Sequence, residues 1–354
     1  MTLINLSKTP WPWFGGKSDA APAVWAALGD VVHYVEPFAG SLAVLLRRPH
    51  VCNRPYHGET VNDLDGLLVN AWRSIQLSPA QTAEAASWPV TEADLHARHL
   101  ALLRWRSERN LELLMADPLW HDPLTAGWWV WGQSAWIGAG WCSGRGPWIV
   151  GEDGRIAKRS GTREEGVKRQ LPHVSNDGRG VNHPGTREEG VGKYHPMTMP
   201  ELRRWFEFLS ARLRHVRILN GDWARALTSG VLKTIGVRQA DGVAGVFLDP
   251  PYDTLLREDK LYTVDSGTVA AEVREWCVKN GDDPAYRIVL AGFGAEHSEL
   301  ISAGWSVQEW YRAGHLKGGY ANQSKGGTQQ ESERLWVSPH CLGVKATPQG
   351  SLFG

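Results

Sequence analysis

A short apolar run, Gly245 to Leu248, leads directly into Asp249-Pro250-Pro251-Tyr252. Proline fixes φ near −65° and has no amide hydrogen, so two in succession end a buried strand and forbid a helix interior. The chain therefore leaves its sheet at Asp249, with an acidic side chain and rigid carbonyl acceptors held side by side. In open α/β sheets, ligands bind just beyond the carboxyl ends of the strands. This one segment thus favours an α/β fold and marks a place within it.

The pattern elsewhere agrees. His33 to Pro37 is a β-prone run that breaks at proline, passes through the small-residue turn Phe38-Ala39-Gly40-Ser41, and enters a helical run, Leu42 to Arg47. Glu59 to Asp63 reads as a second strand, and Leu64 to Gln76 carries apolar residues at helical spacing. Further on, Met199 to Arg214 is an amphipathic helix and His215 to Asn220 a strand ending in Gly221-Asp222. Arg287 to Ala291, Trp305 to Tyr311 and Arg334 to Val337 are later strands. Strands alternating with helices on both sides of a dissimilar middle predict one α/β domain carrying an insertion. The boundaries expected are 1–80 and 215–354 for the α/β domain and 81–214 for the insertion.

Thr91 to Met115 has helical periodicity. Next comes a stretch from Trp120 to Trp148 that gathers many of the chain's 19 tryptophans, which are expected to be core rather than base-stacking surface. Gly151 to Pro196 is polar and glycine-rich, with GTREEGV at Gly161–Val167 and again at Gly185–Val191; two copies are too few for a solenoid. The net charge of the 354-residue chain is zero, but from Lys158 to Arg217 there are 13 Lys and Arg against 7 Asp and Glu. A basic segment within a neutral protein is suited to phosphate contact.

A carboxylate beside a carbonyl accepts both hydrogens of an aromatic amine and so localises the nitrogen lone pair for attack on an electrophile. Tyr252 is placed to stack on a base rotated out of its duplex. Glu36-Pro37-Phe38-Ala39-Gly40-Ser41 is a strand–turn–helix unit where a cofactor can approach backbone amides closely. It is not GxGxxG and no Walker lysine follows, which disfavours dinucleotide and nucleoside-triphosphate sites. Asp63, ending the next strand, suits ribose hydroxyls, although an acidic residue there is also a common helix cap. The four cysteines lie far apart and no CxxC or HExxH occurs, so neither a disulfide framework nor a metal is expected. No apolar run is long enough to cross a membrane, and Met1 to Trp13 lacks the pattern of a secretion signal.

Taken in order, Trp13-Phe14-Gly15-Gly16-Lys17, EPFAGSLAV (Glu36–Val44), Asn62-Asp63, Gly221-Asp222 and DPPY resemble the Dam-type DNA adenine methyltransferases, most of all phage-encoded members. The resemblance implies a Rossmann-like S-adenosylmethionine-dependent methyltransferase fold with an inserted, largely helical and loop-rich DNA-recognition domain. It implies methyl transfer to the exocyclic 6-amino group of adenine in double-stranded DNA after base flipping, in a bacterial cytoplasm, with or without a partner restriction enzyme. Trp13, Phe14, Gly15 and Lys17 would hold the methionine end of the cofactor, and Glu36, Phe38 and Gly40 its centre. Asp63 would bind the ribose, Asp222 the cofactor's adenine with Trp223 nearby, and Asp249, Pro250, Pro251 and Tyr252 the target amine. Arg145, Arg169, Arg179 and Lys193 would contact DNA, and Gly318-Gly319-Tyr320 with Arg334 would form a loop beside the target base. The alternatives are methylation of cytosine's exocyclic amine, for which the family's loop tends to start with serine, and a catalytically silent DNA-binding relative. Attack at a cytosine ring carbon needs a nucleophilic cysteine, typically after proline, and no Pro-Cys occurs.

Overall fold

The computed structural model describes residues 9–11, 13, 16–49, 58–107, 109–136, 141–142, 148–150, 156–158, 185–187, 194–233, 242–251, 269–311 and 333–343. Its elements begin with α1 (Ala21–Leu28), β1 (His33–Glu36), α2 (Ala43–Leu46), β2 (Gly58–Asp63) and α3 (Gly66–Leu77). Four helices follow, α4 (Pro79–Ala86), α5 (Glu92–Ser107), α6 (Asn110–Ala116) and α7 (Pro123–Ala135). Short strands β3 (Trp148–Val150), β4 (Ile156–Lys158), β5 (Gly185–Arg187) and β6 (Tyr194–Pro196) precede α8 (Met199–Leu213). The chain continues as β7 (Val216–Asn220), α9 (Ser229–Leu232), β8 (Ala244–Leu248), α10 (Val269–Asn280), β9 (Tyr286–Phe293), β10 (Ser306–Tyr311) and β11 (Glu333–Val337).

Seven strands form one mostly parallel sheet in the order β10-β11-β9-β8-β1-β2-β7, compatible with a Rossmann-like fold. β1 pairs in parallel with β2 and with β8, and β8 in parallel with β9, whereas β11 runs antiparallel to both β9 and β10. Parallel strands covered on both faces are apolar throughout rather than alternating. β8 shows this, with all five residues of Ala244-Gly245-Val246-Phe247-Leu248 buried.

By contact density the chain divides into two units. One holds the described residues of Lys17–Asn62, Asp222–Asp259 and Asp265–Gly354. Within it Trp25 donates its indole N–H to the Val44 carbonyl at 2.8 Å, tying α1 to α2. Arg48 and Glu59 form a buried ion pair at 3.0 Å, and the same guanidinium donates to the Val31 carbonyl.

The other unit holds the described residues up to Gly16 and within Asp63–Gly221. Its core is helical. α3 starts at the N-cap Asp65, whose carboxylate accepts from the Leu67 amide. α8 starts at a capping box of Thr198 and Glu201, and buries Leu202, Trp205, Phe206, Leu209 and Leu213 on one face. Trp129, Trp131 and Trp141 are buried, as expected of core tryptophans. The helix α7 that carries the first two was not anticipated, although Asp122-Pro123 is a cap followed by a first-turn proline.

The single helical run read from Thr91 to Met115 is two helices, α5 and α6. Near the break Asn110 donates its side-chain amide to the Trp105 carbonyl at 3.3 Å, a local bond that competes with helix continuation. The polar, glycine-rich stretch Gly151–Pro196 contributes β4, which pairs with β3, and β5 and β6, which pair with each other, as antiparallel two-stranded ribbons. The second GTREEGV copy supplies β5; the first lies outside the described residues.

Arg73 of α3 anchors this helical unit. Fully buried, it donates to the carbonyls of Ile218 (Nη2, 2.8 Å), Leu114 (Nη1, 2.8 Å) and Asp117 (Nη1, 2.9 Å). Burial lowers its pKa to about 10, so it stays charged at neutral pH. Replacing it leaves buried carbonyls without a donor. Arg73→Met is expected to lower stability by about 3 kcal/mol, read from denaturant unfolding; an unchanged midpoint would remove Arg73 as the anchor.

Candidate active site

The sheet order reverses direction at β1 and β8. From β1 the chain moves outward to β2, and later returns to the other side of β1 as β8. The carboxyl ends of two such adjacent parallel strands leave a crevice where ligands bind. Both sequence motifs lie there: β1 ends at Glu36, ahead of the Pro37–Ser41 turn, and β8 ends at Leu248, ahead of Asp249-Pro250-Pro251. The register sets Val35 against Val246, which brings Glu36 and Asp249 to the same edge.

The turn after β1 is held from below. Ala39 donates its amide to the Asn62 carbonyl at 2.8 Å, and the buried Asn62 side chain donates to the Pro37 carbonyl at 3.1 Å. Gly40 has φ 46°, and Leu42, buried at the start of α2, has φ 54°. A left-handed leucine is strained, and persists only where its surroundings over-determine it. This is why α2 starts at Ala43 rather than at Leu42. Phe38 stacks on Trp223 with ring centroids 6.1 Å apart.

Glu36 is buried and accepts a hydrogen bond from the Tyr34 hydroxyl at 3.0 Å. Burial pushes its carboxyl well above the usual range, and the charge of Asp249 adds to this. The Tyr34 hydroxyl and the Leu45 amide work in the other direction. Asp249 is paired with the buried ammonium of Lys17 at 3.1 Å, and the same ammonium lies 3.9 Å from Glu333 at the start of β11. Burial raises the Asp249 carboxyl, Lys17 lowers it, and Glu333 raises it further, with the net direction upward.

Lys17, Glu36 and Asp249 therefore meet in one cluster, with Pro250 buried and Pro251 half-buried beside Asp249. Glu333 was missed because no motif marks it; it lies one residue ahead of the expected strand Arg334 to Val337 and is the first residue of β11. Asp222 caps the 3-10 turn Trp223–Leu227, accepting from the Ala224 amide at 2.9 Å. Asp63 ends β2 and accepts from the Asp65 amide at 2.9 Å, while the cap of α3 is Asp65 itself. Trp13 lies 6.3 Å from Trp129 among the tryptophans of the helical unit. Phe14, Gly15, Tyr252, Arg145, Arg169, Arg179, Lys193 and Gly318-Gly319-Tyr320 lie outside the described residues.

Among the described residues no group of three or more His, Cys, Asp or Glu is arranged to hold a metal ion. No helix of the described residues is long and apolar enough to cross a membrane. No protein-family model and no curated protein matches the sequence.

A raised carboxylate has a definite sign in folding. The folded state holds the Asp249 proton more tightly than the unfolded chain does, so stability falls as pH rises from the ordinary carboxylate range through the raised value. Asp249→Asn removes that term. It is expected to raise the unfolding temperature at pH 7 and to leave it nearly unchanged at pH below about 4. A variant less stable than wild type at pH 7 would contradict the charge balance described.

Proposed function

We propose that the chain is a DNA adenine methyltransferase of the Dam-type family, using S-adenosylmethionine. The observation that carries the reading is the placement of Asp249-Pro250-Pro251 at the carboxyl end of β8, next to the Glu36–Ser41 turn at the end of β1. The amine-holding and donor-holding motifs of the resemblance thus share one edge of the sheet.

The residues present suit this donor. Phe38, half-buried and backed by the buried Trp223, offers a ring surface for a nucleoside, and the turn at Gly40 lets backbone approach a bound molecule closely. Lys17 is the ammonium shared between the carboxylates of Asp249 and Glu333, and the excess negative charge of that set favours a positively charged ligand. When bound, S-adenosylmethionine would supply a methyl group already activated on a positive sulfur.

The chain's own work is alignment and polarisation. Asp249, ionised, accepts one hydrogen of the 6-amino group, and the rigid Pro250 carbonyl accepts the other. Held in this way, the nitrogen keeps its lone pair directed at the electrophile instead of delocalised into the ring. Lys17 fixes the Asp249 carboxylate and limits how far burial raises it. DNA as the substrate draws on the family resemblance and on the basic stretch between Lys158 and Arg217.

Incubation of the protein with duplex DNA and methyl-labelled cofactor, followed by nucleoside analysis, tests this. Labelled N6-methyladenine is expected; labelled N4-methylcytosine would move the activity to the other base, and no label with cofactor bound would reject the reading. Asp249→Ala is expected to slow transfer at least about a hundredfold while leaving cofactor binding in place. Wild-type turnover by that variant would remove Asp249 from the site.

A further inference from the structure

The sheet places a second carboxylate beside the Lys17–Asp249 pair, by a route that the motifs do not touch. β11 is two strands away from β8, with β9 between them, and it runs antiparallel to β9. Its first residue therefore emerges at the edge where β8 and β9 end, and Glu333 pairs with Phe293 at the close of β9. Adjacent strands lie roughly 4.8 Å apart, so two carboxylates on strands two apart are separated by about a double spacing. One ammonium between them can serve both. The buried amine of Lys17 does so, at 3.1 Å from Asp249 and 3.9 Å from Glu333.

We propose that Glu333 is a positioning residue for the target amine's acceptor: it draws the Lys17 ammonium toward β11, so that Asp249 keeps acceptor capacity for the substrate. The proposal rests on the methyltransferase reading above. The distances carry the argument. At 3.1 Å Lys17 donates a hydrogen bond to Asp249, whereas at 3.9 Å it is held by Glu333 through charge alone. Lys17 has three hydrogens on a flexible stem and moves toward whichever carboxylate is the more charged. If the charge on Glu333 is removed, the ammonium closes onto Asp249 and competes with the adenine amine for the same oxygens.

Among the described residues, the charged or titratable groups facing Asp249 are Lys17 from the segment ahead of α1, Glu333 from β11 and Glu36 from β1. Glu36 stays fixed by Tyr34 and Leu45. Glu333 opposes ionisation of Asp249, so its neutralisation makes Asp249 the stronger acid and the weaker acceptor.

The test compares wild type, Glu333→Gln and Glu333→Asp by two independent readouts. The first is a carbon-13 NMR titration of the Asp249 carboxyl, assigned by its loss in Asp249→Asn, which needs no activity. The second is the pH profile of methyl transfer with kcat and KM separated. In Glu333→Gln the Asp249 carboxyl is expected to titrate at lower pH and the acid limb of the profile to move with it. At neutral pH kcat should fall about tenfold with KM for the cofactor little changed, and Glu333→Asp should recover part of the loss. An unmoved Asp249 titration in Glu333→Gln overturns the proposal on its own, whatever the activity. A moved titration with an unchanged kcat and acid limb also overturns it, because Glu333 would then act on charge but not on the reaction. A wild-type protein that transfers no methyl group, with the titration moved, rejects the methyltransferase reading and with it the role assigned here.

Discussion

Charge carried to the edge of a buried sheet has to be balanced where it stands. β8 is apolar along its whole length and delivers Asp249 at its end, within reach of the buried carboxyl of Glu36 on the neighbouring strand. Lys17 balances this set from outside the sheet, reaching in from the segment ahead of α1. The end of β8 and the start of β11 are joined through that ammonium, at 3.1 Å from Asp249 and 3.9 Å from Glu333. Without it, Asp249 would face burial and the neighbouring charge of Glu333 uncompensated, and would hold its proton more tightly still.

The scaffold around the pair is stiff for reasons that can be traced. Two prolines fix the backbone beyond Asp249, and Asn62 sews the turn after β1 to the end of β2 through two hydrogen bonds. The left-handed Leu42 shows that packing over-determines this turn, because its backbone would not choose that conformation unaided. Such stiffness suits a reaction whose electrophile arrives already activated, since what is left for a protein is to hold a weak nucleophile in line.

Most of the sheet was legible from residues alone, because β-prone runs ending at Pro37, Asp63 and Asp249 mark both a strand and its exit. Strand periodicity says where a strand lies but not which neighbour it takes. The insertion of β11 between β9 and β10 had no local signature, and Glu333 was invisible for that reason. Asp222 and Asp63 were legible as acids in the right order, yet each also serves its own backbone, which sequence reading leaves open. Near the break between α5 and α6 the Asn110 side chain bonds the Trp105 carbonyl, a contact that helix periodicity does not register. Nothing in the local pattern marks Arg73, and only packing reveals that it gathers carbonyls from α6 with its C-cap and from β7.

The central claim is that Asp249 and the Pro250 carbonyl hold an adenine amine for methylation. It is tested most directly by modification-sensitive sequencing of genomic DNA from cells expressing the wild-type chain and, separately, Asp249→Ala. N6-methyladenine at a recurring site in the first and at none in the second is the predicted result. The same methylation pattern from both chains, or none from either with the protein folded and loaded with cofactor, would contradict it.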